Sequence, residues 1–539
     1  MKDISSTASF VDFTLENFIY VDKTEYIPKL VKLKRVFISR PRRFGKSLTL
    51  DTIGTLFEKG VEPYFKDTWI YDKWTEPTYP VFRLSFLNLD NSSLDLFKKQ
   101  LNSIISEFAN KINVKGYVKK TEPEDSILSL LEKLEEETRQ IVILIDEYDY
   151  QLTSNINNDA LYKQFQQKIK RFYANIKDKF AIKFLGITGV TRLKDVEIFS
   201  IGSDIRDITN ASAYSQMIGF TRDEIKKYYI DYLKLASSYE NNCSVDNVTD
   251  EQIESMLDMM AQNYDGYCFD EFYKKKVFST WSVNSFFQSI IENKFVDFGD
   301  YWYDNGGLPS ILVNYLKTHK LNSLDYVEKD KTITIRVNDF KNPTSLTSIN
   351  QNVLMCQTGY LTLRSPVYSK GFMTLGMPNS EVYNALLSLM ALNIFDDTKL
   401  ENVNEQILSQ SKDVGEIIEL FNTVLNTVSY DNYPISSEAV VQQLLYMYLK
   451  GICNSVSAEL HSSKGRADLV IESDNRRIVF EFKYAKNEIE AKVKLSEAIE
   501  QIKTRDYGNI VPKKAELLRI AAVFNADPKV RAFTEYHEV

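Results

Sequence analysis

Two groups of residues in this chain have the types and spacing to work on phosphate. The first is Gly45-Lys46-Ser47, within FISRPRRFGKSLTLD (37–51), together with Asp146-Glu147, which ends the apolar run of IVILIDEYD (141–149). Glycine, lysine and a hydroxyl close the pattern G-x-x-x-x-G-K-[ST], in which the lysine contacts the β and γ phosphates and the hydroxyl ligates Mg²⁺. Here Arg40 stands at the first glycine position. An apolar strand that delivers an aspartate to the magnesium shell, with a glutamate beside it to orient the attacking water, is the complementary half of such a site. The second group is Asp468, Glu481 and Lys483 in GRADLVIESDNRRIVFEFK (465–483). Two carboxylates and an ammonium suit metal-dependent cleavage of a phosphodiester, with the metal neutralising phosphate and the lysine positioning or polarising water.

Each group depends on the elements that hold it. Apolar Val36–Ser39 reads as a strand, Pro41 to Gly45 as a tight loop and Ser47 as the start of a helix. Such a junction offers backbone N–H groups and a positive helix end to an anion. A solvated basic turn is the plainer alternative, as is an acidic strand end in solvent for Asp146-Glu147. Both halves occur in the right order, each on the expected element, and together they point to nucleotide binding. In the same loop, Arg42 and Arg43, flanked by Phe44, grip phosphate or an acidic neighbour, or else face solvent. Thr188, at the end of the strand KFLGITGV (183–190), stands where a polar γ-phosphate sensor would be, and Arg192 where an arginine finger in cis or trans would be. Plain turn chemistry is the alternative for both.

For the second group, a two-residue turn at Asp474-Asn475 sets the register of a hairpin. Asp468 then lies opposite Glu481 with Cβ atoms about 4.5–5.5 Å apart. Lys483 shares their face and Phe482 points to the core. Two such carboxylates repel unless a cation bridges them, and a divalent ion with oxygen ligands, usually Mg²⁺, fits. Glu438, at the head of the preceding helix, could add a ligand. Gln501, on the following helix, could touch the metal shell or DNA backbone. The alternative is an exposed hairpin with salt bridges among Arg466, Asp468, Glu481 and Lys483.

Apolar runs alternate with helical patterns over residues 1–220 (RVFIS, YPVFRLSF, IVILIDEYD, FAIKFLGITGV), as in a parallel, helix-covered sheet. Thr221-Arg222-Asp223-Glu224 and Thr249-Asp250-Glu251-Gln252 fit capping boxes that open helices. Residues 220–330 read as mostly helical. The stretch 354–376 reads as a β-hairpin among helices, the wing of a winged-helix module, and helices resume over 381–427. The turn-rich SYDNYPISS (429–437) marks a boundary before a final α/β unit: helix 438–450, strand pair 467–483, helix 490–504 and strand 517–524. The expected division is therefore 1–220, 221–430 and 431–539.

Composition narrows the function classes. Three histidines among 539 residues leave histidine-rich metal chemistry without ligands. Four scattered cysteines form no CxxC pair, so no disulfide framework or zinc site is expected, and a reducing, cytoplasmic setting fits best. No apolar run approaches the ~18 residues of a membrane span. A net charge of −8 speaks against a generic, charge-driven nucleic-acid binder. The stretch 431–539 holds 16 basic and 16 acidic residues, so the acidic excess lies elsewhere.

A family resemblance rests on YVDKTEYI (20–27), SRPRRFGKSL (39–48), YPVFRLSF, ILIDEYD, GITGVTR, IGFTRDE (218–224), YDGYCF (264–269), TGYLTL and GMPNSEV, with the tail GRADLVIE…IVFEFKYA…AIEQIKTRDY. Over nearly the whole chain this order resembles a large family of bacterial proteins that join an AAA-ATPase-like domain to a C-terminal nuclease domain of the PD-(D/E)XK superfamily. The resemblance implies an AAA-like P-loop ATPase sheet, a helical middle and a PD-(D/E)XK-type α/β domain. It assigns Lys46 and Ser47 to phosphate and Mg²⁺, Asp146 and Glu147 to the acidic half, and Asp468, Glu481 and Lys483 to a metal-dependent active centre. It also makes Arg40 the family's own variant of the loop. Thr280 departs from the family's usual proline before Trp281, and the helix from Glu438 lacks the histidine or tyrosine often seen soon after that glutamate. The expected function is an ATP-binding, ATP-hydrolysing protein coupled to a Mg²⁺-dependent nuclease acting on DNA rather than RNA. A finger acting in trans would require a homo-oligomer. The competing expectation is an NTPase switch or scaffold whose C-terminal domain binds nucleic acid or a protein without cutting.

Overall fold

The computed structural model describes residues 2–193, 204–304, 310–316, 326, 329–343, 345–368, 370–395, 408, 410–428, 434–452, 456–462, 465–472, 475–508 and 514–539. The chain divides into two compact units, one built principally from residues up to Tyr383, the other from Asn384 onward.

The first unit contains the expected parallel sheet. Its strands are β1 (Arg35–Ser39), β2 (Val81–Ser85), β3 (Ile141–Asp146), β4 (Ile182–Gly189) and the short β5 (Arg206–Asp207). They run parallel in the order β2-β3-β4-β1-β5. Near-continuous apolar sequence is what such strands require, because helices cover both faces. Leu94–Lys111, Pro123–Glu136 and Asp159–Ile176 supply such cover, each with a buried apolar stripe. Because β4 runs between β1 and β3, the carboxyl ends of all three meet at one edge. Ile38 pairs with Thr188, and Ile145 pairs with Ile187. Open parallel sheets present ligands at that edge.

Both capping boxes form. The Thr221 and Thr249 hydroxyls accept the Glu224 and Gln252 amides at 3.2 and 3.3 Å, and the side chains of those two residues return to the threonine N–H groups at 2.7 and 2.9 Å. The helices Arg222–Tyr228, Ile230–Glu240, Asp250–Tyr264 and Thr280–Asn293 pack around Tyr229, Met256, Tyr264 and Phe287. The hairpin expected over 354–376 is shorter than that. Gln351–Thr358 is a helix, capped by the Asn350 side chain and ended by Gly359 at φ +96°. Strands β6 (Ile333–Arg336), β7 (Thr362–Leu363) and β8 (Phe372–Gly376) then form a small antiparallel sheet in the order β6-β8-β7.

The second unit is a five-stranded mixed sheet of β9 (Val456–Ser462), β10 (Gly465–Glu472), β11 (Arg476–Ala485), β12 (Glu516–Asn525) and β13 (Ala532–Glu538). The order is β13-β12-β11-β10-β9, with only β11 and β12 parallel. Asp474 of the expected turn lies outside the described residues, as do 429–433 of the expected boundary. The register itself is as expected, with Leu469 opposite Phe480 and Val470 opposite Val479. One face carries Phe480 and Phe482, covered by Phe421 of the helix Val414–Thr427. This helix falls within the expected 221–430 region, yet its apolar face packs on the C-terminal sheet. The opposite face carries Val470 and Val479, covered by Ala498, Ile502 and Tyr507. Cys243, Cys268 and Cys356 are free thiols, and Cys453 lies outside the described residues.

Candidate functional sites

At the carboxyl edge of the first sheet, β1 turns through Arg40–Gly45 into the helix Lys46–Lys59. Gly45, the residue before that helix, has φ +95°, a backbone that side chains other than glycine's rarely adopt. Lys46 is 6% exposed, and its ammonium donates to the Pro41 carbonyl at 2.9 Å. Burial lowers its pKa, and Asp146, Glu147 and Asp149 oppose that shift. The Ser47 hydroxyl donates to Asp146 Oδ2 at 2.5 Å, and Thr188 Oγ1 donates to Asp146 Oδ1. The lysine–hydroxyl pair, the strand aspartate and the β4 threonine thus converge, as their spacing suggested. Glu147 leaves the strand at φ +49°, an uncommon conformation for a side-chain-bearing residue and one that gathers at functional sites. Burial raises its pKa, Lys46 opposes the shift, and its Oε2 is buried without a hydrogen-bond partner.

The arginines of the loop divide by role. The Arg40 guanidinium, 1% exposed, donates to the carbonyls of Ser39 and Thr209 at 2.9 and 2.7 Å and lies 4.1 Å over the Phe269 ring. Burial pulls its pKa down to about 9, with Asp207 and Cys268 opposing. Arg43 stacks 4.1 Å over Trp281, and its carbonyl accepts from Thr280 Oγ1 at 2.9 Å. The Arg42 carbonyl accepts from Trp302 Nε1 at 3.4 Å, and Phe44 packs edge-on against Tyr267 and Phe269. Residues 40–44 are therefore clamped by chain far downstream. Thr280, in the position the resemblance gives to proline, is part of the clamp. Arg42 is the loop arginine whose charge acts on both Lys46 and Glu147. Arg192 is ion-paired with Asp207 and borders a different cavity from Lys46.

A cavity of about 460 Å³ opens from Lys46, Ser47 and Glu147 toward an apolar wall that includes Val21, Ile27, Met217 and Phe220. Val21 and Ile27 belong to YVDKTEYI and Phe220 to IGFTRDE, which Met217 directly precedes; these stretches carry the family resemblance, and the second also a capping box, but neither announces a cavity wall. They are tied together by Lys23, whose ammonium bonds the Gln216 carbonyl at 2.7 Å and the Glu224 carboxylate at 2.6 Å.

In the second unit, Asp468, Glu481 and Lys483 also meet. The β10–β11 register brings Asp468 beside Glu481, and Asp468 Oδ2 accepts the Phe482 amide at 2.7 Å. Glu481 is fully buried; its Oε1 accepts from Lys483 Nζ at 2.8 Å and its Oε2 has no hydrogen-bond partner. Burial, then the Asp468 charge, raises the Glu481 pKa. Burial works against protonation of Lys483, yet its bond to Glu481 and the surrounding carboxylates raise its pKa overall. Its ammonium also bonds the Phe482 carbonyl at 3.0 Å and Glu438 at 3.3 Å. Glu438 thus lies at the margin of the centre through Lys483. Gln501 instead donates to the Tyr507 hydroxyl at 3.1 Å. The side chain of Arg466 lies outside the described residues. A buried carboxylate oxygen left without a donor, beside a second carboxylate, fits a bound cation. Among the described residues, however, no three carboxylate, imidazole or thiol groups already converge as a metal cage.

Residues 5–199 match the family model of a predicted AAA-ATPase, and residues 436–533 match that of the PD-(D/E)XK nuclease superfamily. The first span contains Lys46, Asp146, Thr188 and Arg192; the second contains Glu438, Asp468, Glu481 and Lys483. The chain is 24% identical over 538 residues to a protein of Azotobacter chroococcum mcd 1 described as "Uncharacterized protein in vnfD 5'region", a match covering 95% of this chain and 94% of that protein. A superposition on the crystal structure of Cdc6p from Pyrobaculum aerophilum covers 69% of this chain and 93% of that one at 11% identity. Its TM-score of 0.23 carries no argument.

Proposed function

We propose, for a chain whose two ends match an AAA-ATPase model and a nuclease-superfamily model, that it binds and hydrolyses Mg·ATP and that its nucleotide state governs a Mg²⁺-dependent cleavage of DNA. The observation that carries this reading occurs twice. In each centre a carboxylate, half-buried Glu147 or fully buried Glu481, keeps one buried oxygen without a hydrogen-bond partner, and a lysine, Lys46 or Lys483, acts on its charge. A buried polar oxygen left in that state costs about 1–3 kcal/mol, a cost that a ligand bringing a cation or a donor removes.

In the first centre Lys46 would exchange its Pro41 carbonyl for a phosphate oxygen, with Arg42 adding positive charge. Ser47 and Asp146 would hold Mg²⁺, Glu147 would orient water, and Thr188 would fix the Asp146 carboxylate. The apolar wall beside Val21 and Met217 would take the base. In the second centre Asp468 and Glu481, with Glu438 at its margin, would hold the divalent ion, and Lys483 would position water. The metal, when bound, neutralises phosphate charge and lowers the pKa of its water. The domain limits 1–220, 221–430 and 431–539, with the helix Val414–Thr427 counted with the C-terminal sheet on which it packs, a cytoplasmic setting and DNA as partner belong to the same proposal. Among the described residues no helix is long and apolar enough to cross a membrane.

One observation favours the second reading, a nucleotide switch whose C-terminal domain binds without cutting. The Lys483 ammonium already bridges Glu481 and Glu438, and a backbone amide engages Asp468. Calorimetric titration of the full chain with Mn²⁺, without nucleotide, separates the two. The nuclease reading expects a binding heat that disappears in Asp468→Ala and persists in Ser47→Ala. No heat in the wild type favours the switch.

A further inference from the structure

Arg505, which the sequence reading did not single out, ends the helix Glu488–Arg505. Two other basic side chains of this helix are spent on ion pairs within it, Lys492 with Glu488 and Lys494 with Glu497. The exposed Arg505 instead donates from Nη1 to the neutral hydroxyl of Tyr507 at 2.9 Å. Gln501 donates to the same hydroxyl, at 3.1 Å.

Tyr507 is fully buried against Val470, Val479 and Ala521. Val479 precedes Glu481 by two residues on β11, and Val470 follows Asp468 by two on β10, so the ring is planted on the face that carries both carboxylates. The turn that presents it is fixed as well. Arg519 Nε donates to the Tyr507 carbonyl at 2.7 Å and Nη2 to Asp506 at 2.5 Å. The bond to the Tyr507 hydroxyl, and then the negative charges of Glu481 and Asp468, hold the Arg505 pKa above its usual value.

We propose that Arg505 grips the backbone phosphate presented to the Asp468–Glu481–Lys483 centre, with Tyr507 and Gln501 as positioning residues that hold its guanidinium in place. A planar fork of donors that is exposed and held by a neutral group suits a phosphate oxygen pair. The assignment deepens the nuclease reading and rests on it.

The test uses full-length protein and a labelled duplex DNA. Binding is measured over a salt series without divalent metal, and cleavage with Mg²⁺, in the native chain and in each variant. Arg505→Ala is expected to weaken binding about tenfold, as for a hydrogen bond to a charged group. It should also flatten the slope of log affinity against log salt by about 0.9, one phosphate contact. Arg505→Lys keeps the slope but lowers kcat. Tyr507→Phe also keeps the slope and lowers kcat, because the charge stays while its anchor is lost. If the native chain cuts DNA and Arg505→Ala binds and cuts equally well, this assignment falls alone. If the native chain neither binds nor cuts, the nuclease reading falls and takes the assignment with it.

Discussion

Lys46→Ala is expected to abolish ATP turnover while leaving the fold intact. The ammonium is buried at the head of the helix Lys46–Lys59, donates to its own loop at Pro41 and feels Asp146 and Glu147. Among the described residues, the other lysine lining this cavity is Lys23, and it is paired with Glu224. Removing a charge aimed at a developing phosphate charge lowers rates by about 10²–10³-fold. The fold has little to lose. Burial already disfavours this charge, and alanine is the best helix former. Phosphate release, nucleotide affinity and the thermal midpoint, taken together, check the prediction. Turnover at the native rate would remove the ATPase claim.

Lys483→Ala is expected to abolish DNA cleavage, and here the fold pays as well. The ammonium bonds Glu481, Glu438 and the Phe482 carbonyl from a nearly buried position. Without it, fully buried Glu481 faces Asp468 with no neutralising cation, and breaking a buried pair costs about 3–5 kcal/mol. The thermal midpoint of the metal-free protein should therefore fall, and Mn²⁺ should recover part of the loss while cleavage stays absent. Retained cleavage in this variant would rule out the lysine's proposed role.

Much of this arrangement was legible in the sequence because it depends on local rules. Apolar runs gave β1 to β4, threonine and glutamate or glutamine three apart gave two helix starts, and a two-residue turn gave the register that joins Asp468 to Glu481. What escaped depends on contacts between distant stretches or on weak patterns. Arg43 looks like a phosphate ligand until Trp281, more than two hundred residues away, is seen beneath it, and Arg40, at the first glycine position of the pattern, lies over the equally distant Phe269. The apolar wall of the cavity beside Lys46 is assembled from segments near Val21 and Met217 that share no local signal. Strand β13, AFTEYHE, is a mostly polar edge strand with only Phe533 deeply buried, so it lacks the apolar run that announces a central one. The segment LMCQTG (354–359) reads as part of a hairpin, yet Asn350 and Gly359 cap the helix that contains it.

The central claim, that two phosphate centres on one chain are linked through nucleotide state, is tested most directly by one assay. Full-length protein is incubated with plasmid and single-stranded DNA in Mg²⁺ or Mn²⁺, in parallel with ATP, with ADP and with no nucleotide. The account predicts metal-dependent cleavage whose rate differs between ATP and ADP, a difference that vanishes in Lys46→Ala. Absence of cleavage by the native chain in every metal and nucleotide state would contradict it.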